Sequence, residues 1–247
     1  DEQMAEFEKL PKLKNVAFSQ NEQQALARAR ILLTSGLLNE AAEELSIFSS
    51  RPLSVNEAQY LAGFYASALR YQKTFAFGSQ AFDDKSEDRR SEFLVRELFP
   101  KEFWSLVSDD SRRSQVDPLL LLSVMKQESA FDPSAVSRSG AVGLLQMIPP
   151  TAEEVKKELG ASNDVPKDLF DPATNVKFCA YYLNFLIKKF NGNIPLALAA
   201  YNAGPARISL FMKSQGGNLK DTWVDELPYS ETSFYVKSIL KNYVVYR

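Results

Sequence analysis

The chain has 247 residues, 45% of them hydrophobic and 24% charged, proportions of a globular protein long enough for one large domain or two ordinary ones. Its 29 basic and 31 acidic residues nearly cancel, so there is no broad positive field for nucleic acid or an anionic membrane, and no apolar run reaches bilayer length. With no histidine and one cysteine, a histidine triad, a histidine metal site and a cysteine cluster are excluded, which leaves carboxylates, hydroxyls, amides and aromatics as the available chemistry.

In chain order, Asp1 opens the sequence without the charged and then apolar stretch of an export signal. Gly and Pro fall between segments of helical periodicity, and no alternating run of β-branched residues suggests a sheet, so the whole chain reads as α. Ala25, Ala29, Leu32 and Leu33 form one apolar stripe, Gly36 supplies a stop, and Ala41, Ala42, Leu45 and Phe48 form the next. This predicts a helical hairpin. Tyr60, Leu61, Phe64, Tyr65, Ala68 and Leu69, followed by Phe75, Phe77 and Phe82, predict a second, and an offset of about 34 residues suggests a short solenoid. The dense charge from Asp83 to Glu92 marks a junction, with a boundary near Ser91 between a hairpin scaffold (1–91) and a second domain (92–247).

Phe93 to Val107 is an amphipathic approach segment, broken at Pro100 and carrying Trp104. Asp117 and Pro118 then suit the N-cap and first position of a helix that runs to Glu128, before Asp132-Pro133 breaks the pattern. A further start is expected at Thr151, with Glu154 completing a capping box. Asp171-Pro172 begins a long helix to about Phe190, stopped by Asn191-Gly192. Pro195 to Tyr201 predicts a short apolar helix ended by Gly204-Pro205, and Ser230 is expected to cap a last helix ending near Tyr246.

Glu128 falls in the last turn of its helix. Val124, Met125 and Phe131 around it are apolar, and a helix C-terminus carries partial negative charge. Both raise a carboxyl pKa, as a general acid near neutrality requires. A solvated surface glutamate could occupy the same position, so position alone does not decide its role.

The surrounding motifs carry more. Glu128-Ser129-Ala130-Phe131-Asp132-Pro133 is followed by Ser137-Arg138-Ser139-Gly140-Ala141-Val142-Gly143-Leu144-Leu145-Gln146, then by Ala200-Tyr201-Asn202-Ala203-Gly204-Pro205. Pro228-Tyr229-Ser230-Glu231-Thr232 with Tyr235-Val236 closes the series. Together these closely resemble the catalytic domain of the soluble lytic transglycosylases, over roughly Phe93 to Arg247. The region before it resembles the family's helical scaffold more loosely.

The resemblance implies an all-α architecture, with a goose-type lysozyme-like catalytic domain preceded by a solenoid-like hairpin region. It also implies cleavage of the β-1,4 bond between N-acetylmuramic acid and N-acetylglucosamine in peptidoglycan, without cofactor or metal. Glu128 would protonate the leaving oxygen and then, as carboxylate, accept the proton of the muramyl 6-hydroxyl as a 1,6-anhydro ring closes. The substrate's N-acetyl group would stand in for the second carboxylate of most glycosidases. Ser137, Gly140, Gln146, Tyr201, Asn202 and Glu231 match groove positions of the family, with Tyr201 able to hydrogen-bond and orient the acid. Gly143 serves the turn with Gly140. Bound partners would be glycan strands, not nucleic acid; no integral membrane anchoring is expected, the substrate implies the periplasm, and the hairpin region could recruit proteins.

Other residues have simpler readings. Asp132 suits turn formation better than catalysis. Phe178, Tyr181, Tyr182 and Phe185 recur at helical spacing as core, Trp104 and Trp223 are taken as packing, and Cys179 as a buried thiol. Met147-Ile148, Cys179 and Ser233 depart from the family's common residues. Two alternatives remain at this stage: a hydrolase using the same Glu128, and an inert glycan-binding scaffold.

Overall fold

A computed structural model describes residues 18–82, 92–162, 165, 167–216 and 219–247. Among these residues the regular elements are helices, and the extended pairings are two isolated bridges, Val136 with Val142 and Val142 with Met147. Contacts divide the chain into compact units Asp1–Pro100 and Lys101–Arg247. The boundary expected near Ser91 lies outside the described residues.

The first unit contains α1 (Gln20–Thr34), α2 (Leu38–Glu44) with a 3-10 extension (Leu45–Ser50), α3 (Val55–Ser67), α4 (Tyr71–Phe82) and α5 (Glu92–Leu98). Both expected hairpins form: α1 pairs with α2, and α3 with α4, on which α5 also packs. Leu26, Ala29, Leu33, Ala41, Leu45, Phe48, Leu61, Phe64 and Tyr65 make one apolar core. Ser19 and Ser54 cap α1 and α3 through capping boxes closed by Glu22 and Glu57. Arg51 joins the two boxes, with Nε 2.6 Å from Glu22 and Nη2 2.6 Å from Glu57. Its guanidinium holds the Glu57 carboxyl down at about 2 and lowers that of Glu22.

Each hairpin turns through the same motif. At the end of α1, Gly36 (φ 76°) donates to Leu33 and Leu37 donates to Leu32; at the end of α3, Leu69 (φ 55°) donates to Ala66 and Arg70 to Tyr65. Leu69 was expected in the apolar stripe. It is instead a left-handed stop residue, 41% exposed, because helix α3 ends just before it.

The second unit contains α6 (Trp104–Ser114), α7 (Pro118–Ser129), α8 (Pro149–Leu159), a 3-10 turn (Lys167–Phe170), α9 (Pro172–Lys189), α10 (Ile194–Ala203), α11 (Pro205–Ser214) and α12 (Ser230–Tyr246). α9 packs on α6, α8 and α10, while α12 packs on α7 and α10. The helices α7 and α10 are apolar nearly all round, with Leu120 to Met125 and Leu196 to Ala200 buried, so they are interior elements. Asp117 and Asp171 cap α7 and α9 as expected, accepting from the amides of Leu119 and Thr174.

Three expectations change. α8 starts at Pro149, not Thr151, and has no side-chain cap: prolines in its first turn lack the N–H groups a cap would satisfy. Pro205 ends α10 but also opens α11, a helix the sequence reading missed, because proline fits the first helical position. Ser230 is the first residue of α12 and does not cap it; the N-cap is Tyr229.

Candidate active site

Helix α7 ends abruptly beside the acid. Ala130 (φ 52°) and Phe131 (φ 63°) both adopt left-handed backbone, and Ala130 donates its N–H to the Lys126 carbonyl. For residues with a Cβ this conformation costs roughly 1–2 kcal/mol each, so the surrounding packing must impose it. Phe131 is buried and supplies part of that packing. Glu128 thereby sits in the final turn, partly open to solvent, above buried Val124 and Met125. Tyr235 of α12 donates its phenol to Glu128 Oε1 at 2.5 Å. Burial pushes the Glu128 carboxyl up to about 7; the Tyr235 hydrogen bond opposes that shift and the charge of Glu231 adds to it. Tyr235 is itself buried, and its phenol is pushed well above the ordinary range, so it remains a donor.

Facing the acid's helix is the loop between α7 and α8. Val142 and Met147 exchange backbone hydrogen bonds at 3.0 and 3.1 Å, which closes Gly143 to Gln146 into a turn. Side chains of three helices hold the carbonyls of that turn: Ser129 of α7 donates to Leu144 at 2.7 Å, Tyr201 of α10 donates to Leu145 at 2.7 Å, and Asn175 of α9 donates to Val142 at 2.9 Å. At the outer edge, Ser137 Oγ accepts from the Ala141 amide at 3.0 Å and lies 2.9 Å from Ser139 Oγ.

The comparisons agree with this architecture. Residues 105–224 match the Transglycosylase SLT domain. Over that segment the chain is similar to the transglycosylase SLT domain family. It is 29% identical over its whole length to the soluble lytic murein transglycosylase of Salmonella typhimurium and 28% to that of Escherichia coli, and spans 37% of the length of each. A putative soluble lytic murein transglycosylase of Haemophilus influenzae is 36% identical over 48% of this chain and 20% of its own. Among solved structures, the 70 kDa soluble lytic transglycosylase of Escherichia coli superimposes with a TM-score of 0.76 at 27% identity, over 97% of this chain and 38% of that one. An inactive mutant of the lytic transglycosylase Slt from Pseudomonas aeruginosa gives 0.74 at 26%, over 94% and 38%.

The expected site residues, all but Glu231 within the matched segment, have distinct surroundings. Gln146, at φ 48°, uses both amide hydrogens on the Ala135 and Gly143 carbonyls, at 3.1 and 2.8 Å, so its oxygen is the end that can accept from a ligand. Gly140 (φ 79°) has open space around it. Gly143 (φ 81°) does not: a Cβ there would stand 2.3 Å from both Asn175 Nδ2 and the Leu169 carbonyl. Tyr201 is spent on Leu145 rather than on the acid. Asn202 is exposed and accepts from the Thr232 hydroxyl at 2.7 Å, which links α10 to the start of α12. Glu231 is exposed in the first turn of α12, beyond the residues matched by the family model.

Asp132 accepts from the amide and hydroxyl of Ser134, as a turn residue does. Cys179 is buried, and burial pushes its thiol up to about 12. Phe178 and Trp223 are buried as expected, but Phe185 and Trp104 are 47% and 39% exposed. At the Met147-Ile148 departure, Met147 is buried and Ile148 exposed. Two side chains beside the site carry little signal in the sequence. Tyr235 stands there only as part of the closing motif, 107 residues from the carboxyl to which it donates; Asn175 shows no more than a polar residue in an apolar helix.

Proposed function

We propose that this chain cleaves peptidoglycan glycan strands between N-acetylmuramic acid and N-acetylglucosamine without consuming water. The observation that carries this reading is one carboxyl at a helix end, hydrogen-bonded by Tyr235 at 2.5 Å and flanked by the held loop of a segment matching the SLT domain, where burial pushes it up to about 7. A carboxyl of that acidity is substantially protonated at neutral pH and can serve as acid and then as base.

In the first step Glu128 gives its proton to the glycosidic oxygen as the bond to muramyl C1 breaks, and the N-acetyl carbonyl oxygen of the same sugar bonds to C1. In the second, carboxylate Glu128 takes the proton of the 6-hydroxyl while O6 displaces the acetamido oxygen at C1. The products are a free 4-hydroxyl and a 1,6-anhydro end, and Glu128 is again protonated. Tyr235 holds one carboxyl oxygen throughout, leaving the other to face the sugar. Ser137, Gly140, Gln146, Asn202 and Glu231 line the groove, while Tyr201 supports it from below through Leu145. The substrate sets the working compartment as the periplasm.

Digestion of purified sacculi tests the reading. Muropeptides lighter by one water than the hydrolysed products are expected, and Glu128→Gln is expected to abolish release, at least 10³-fold, while still binding glycan. Reducing-end muramic acid as the sole product would instead assign hydrolysis to the same residue.

A further inference from the structure

We infer that Asn175 is a positioning residue of the glycan site, acting through the loop that carries Gln146; this rests on the glycan-cleaving reading above. Asn175 is fully buried in the first turn of α9, so it offers no surface to a ligand. Its amide nitrogen donates to the Val142 and Leu169 carbonyls, both at 2.9 Å, and its oxygen accepts the Leu145 amide at 2.9 Å and the Cys179 thiol at 3.7 Å. Among neutral side chains only a carboxamide gives two hydrogens and accepts at the same point, so Asn175 satisfies both carbonyls and an amide of the backbone around it. Aspartate of the same shape lacks the donors, and leucine lacks all four bonds.

The contact is also steric. Gly143 rests on Asn175 with no room for a Cβ, so the turn is seated on this side chain rather than merely tethered to it. Two of the three bonds that aim Gln146 go to that turn: its amide donates to the Gly143 carbonyl at 3.2 Å and its side chain to the same carbonyl at 2.8 Å, while the third goes to the Ala135 carbonyl earlier in the loop. The adjacent Leu145 donates its amide to Asn175 and accepts from Tyr201 at its carbonyl. Glu128 is outside this set, because its partner is Tyr235. Loss of Asn175 therefore weakens glycan binding and leaves the acidity of Glu128 in place.

The test measures binding apart from turnover. In a Glu128→Gln background, calorimetry with the tetramer of N-acetylglucosamine is expected to give at least tenfold weaker binding per folded molecule for Asn175→Ala and for Gly143→Ala, and about threefold for the nearly isosteric Tyr201→Phe. In the otherwise native chain, Asn175→Ala and Gly143→Ala are expected to raise KM at least tenfold, while the basic limb of the pH profile stays near 7. Equal affinity in folded variants, or a shifted pH limb with unchanged KM, overturns the assignment of Asn175 alone. Should Asn175→Ala and Gly143→Ala not fold, unchanged tetramer binding by Tyr201→Phe also overturns it. No tetramer binding by the Glu128→Gln parent overturns the glycan reading and this inference with it.

Discussion

Glu128 and Glu231 are close enough for the charge of one to raise the proton affinity of the other, while Tyr235 pulls the opposite way. These opposed influences make a paired prediction. Activity should fall along a basic limb with its midpoint near pH 7, the limb moving up in Tyr235→Phe and down in Glu231→Gln; pH profiles of kcat/KM check both directions. The same acid has a cost for folding. Because its folded pKa of about 7 lies above the ordinary 4.5, its stabilising contribution is full below about pH 4.5 and is lost as pH rises through 7. Glu128→Gln should therefore stabilise the chain at pH 8, by on the order of 2 kcal/mol, and change it little at pH 4, as denaturant titrations at the two pH values would measure.

At the scale of helices, the two hairpins of the first unit share a turn motif but fill its left-handed position differently, with Gly36 in one and Leu69 in the other. Leu69→Gly should raise stability by about 0.5–1 kcal/mol, the relief of left-handed strain less the added chain entropy of glycine, measurable by urea titration. This pair also illustrates which boundaries were legible. Gly36, Asp117, Asp171 and Asn191-Gly192 announce their turns and caps through residue chemistry that needs no tertiary partner. Leu69 gives no such signal, since packing holds it in a conformation its own side chain disfavours. The starts at Pro149 and Pro205 are ambiguous in sequence, because proline breaks a helix in its interior yet also fits an unbonded first turn. In the site, the acid and the polar loop could be named from motifs, whereas the hydrogen bonds of Tyr235, Tyr201 and Asn175 join residues 107, 56 and 30 apart and exist only after folding.

Across the whole molecule the units carry opposite responses to pH. In the first, Arg51 holds Glu57 at about 2 against an ordinary 4.5, and lowers Glu22 as well. That contribution is full above about pH 4.5 and is lost as pH falls toward 2, the reverse of the Glu128 contribution in the second unit. Arg51→Met should destabilise the first unit by about 1–2 kcal/mol at pH 7, allowing for the partial exposure of Arg51, and by much less at pH 2.5. Hydrogen exchange resolved by unit would check it: lost protection should be confined to the first unit at neutral pH. Within the second unit, the double left-handed corner at Ala130 and Phe131 has one more effect. A single residue of extra winding would swing the next side chain roughly 100° around the helix axis. The corner thus acts as a mechanical end-stop, latched by the hydrogen bond from the Ala130 amide to the Lys126 carbonyl, and it fixes the direction in which Glu128 leaves the helix.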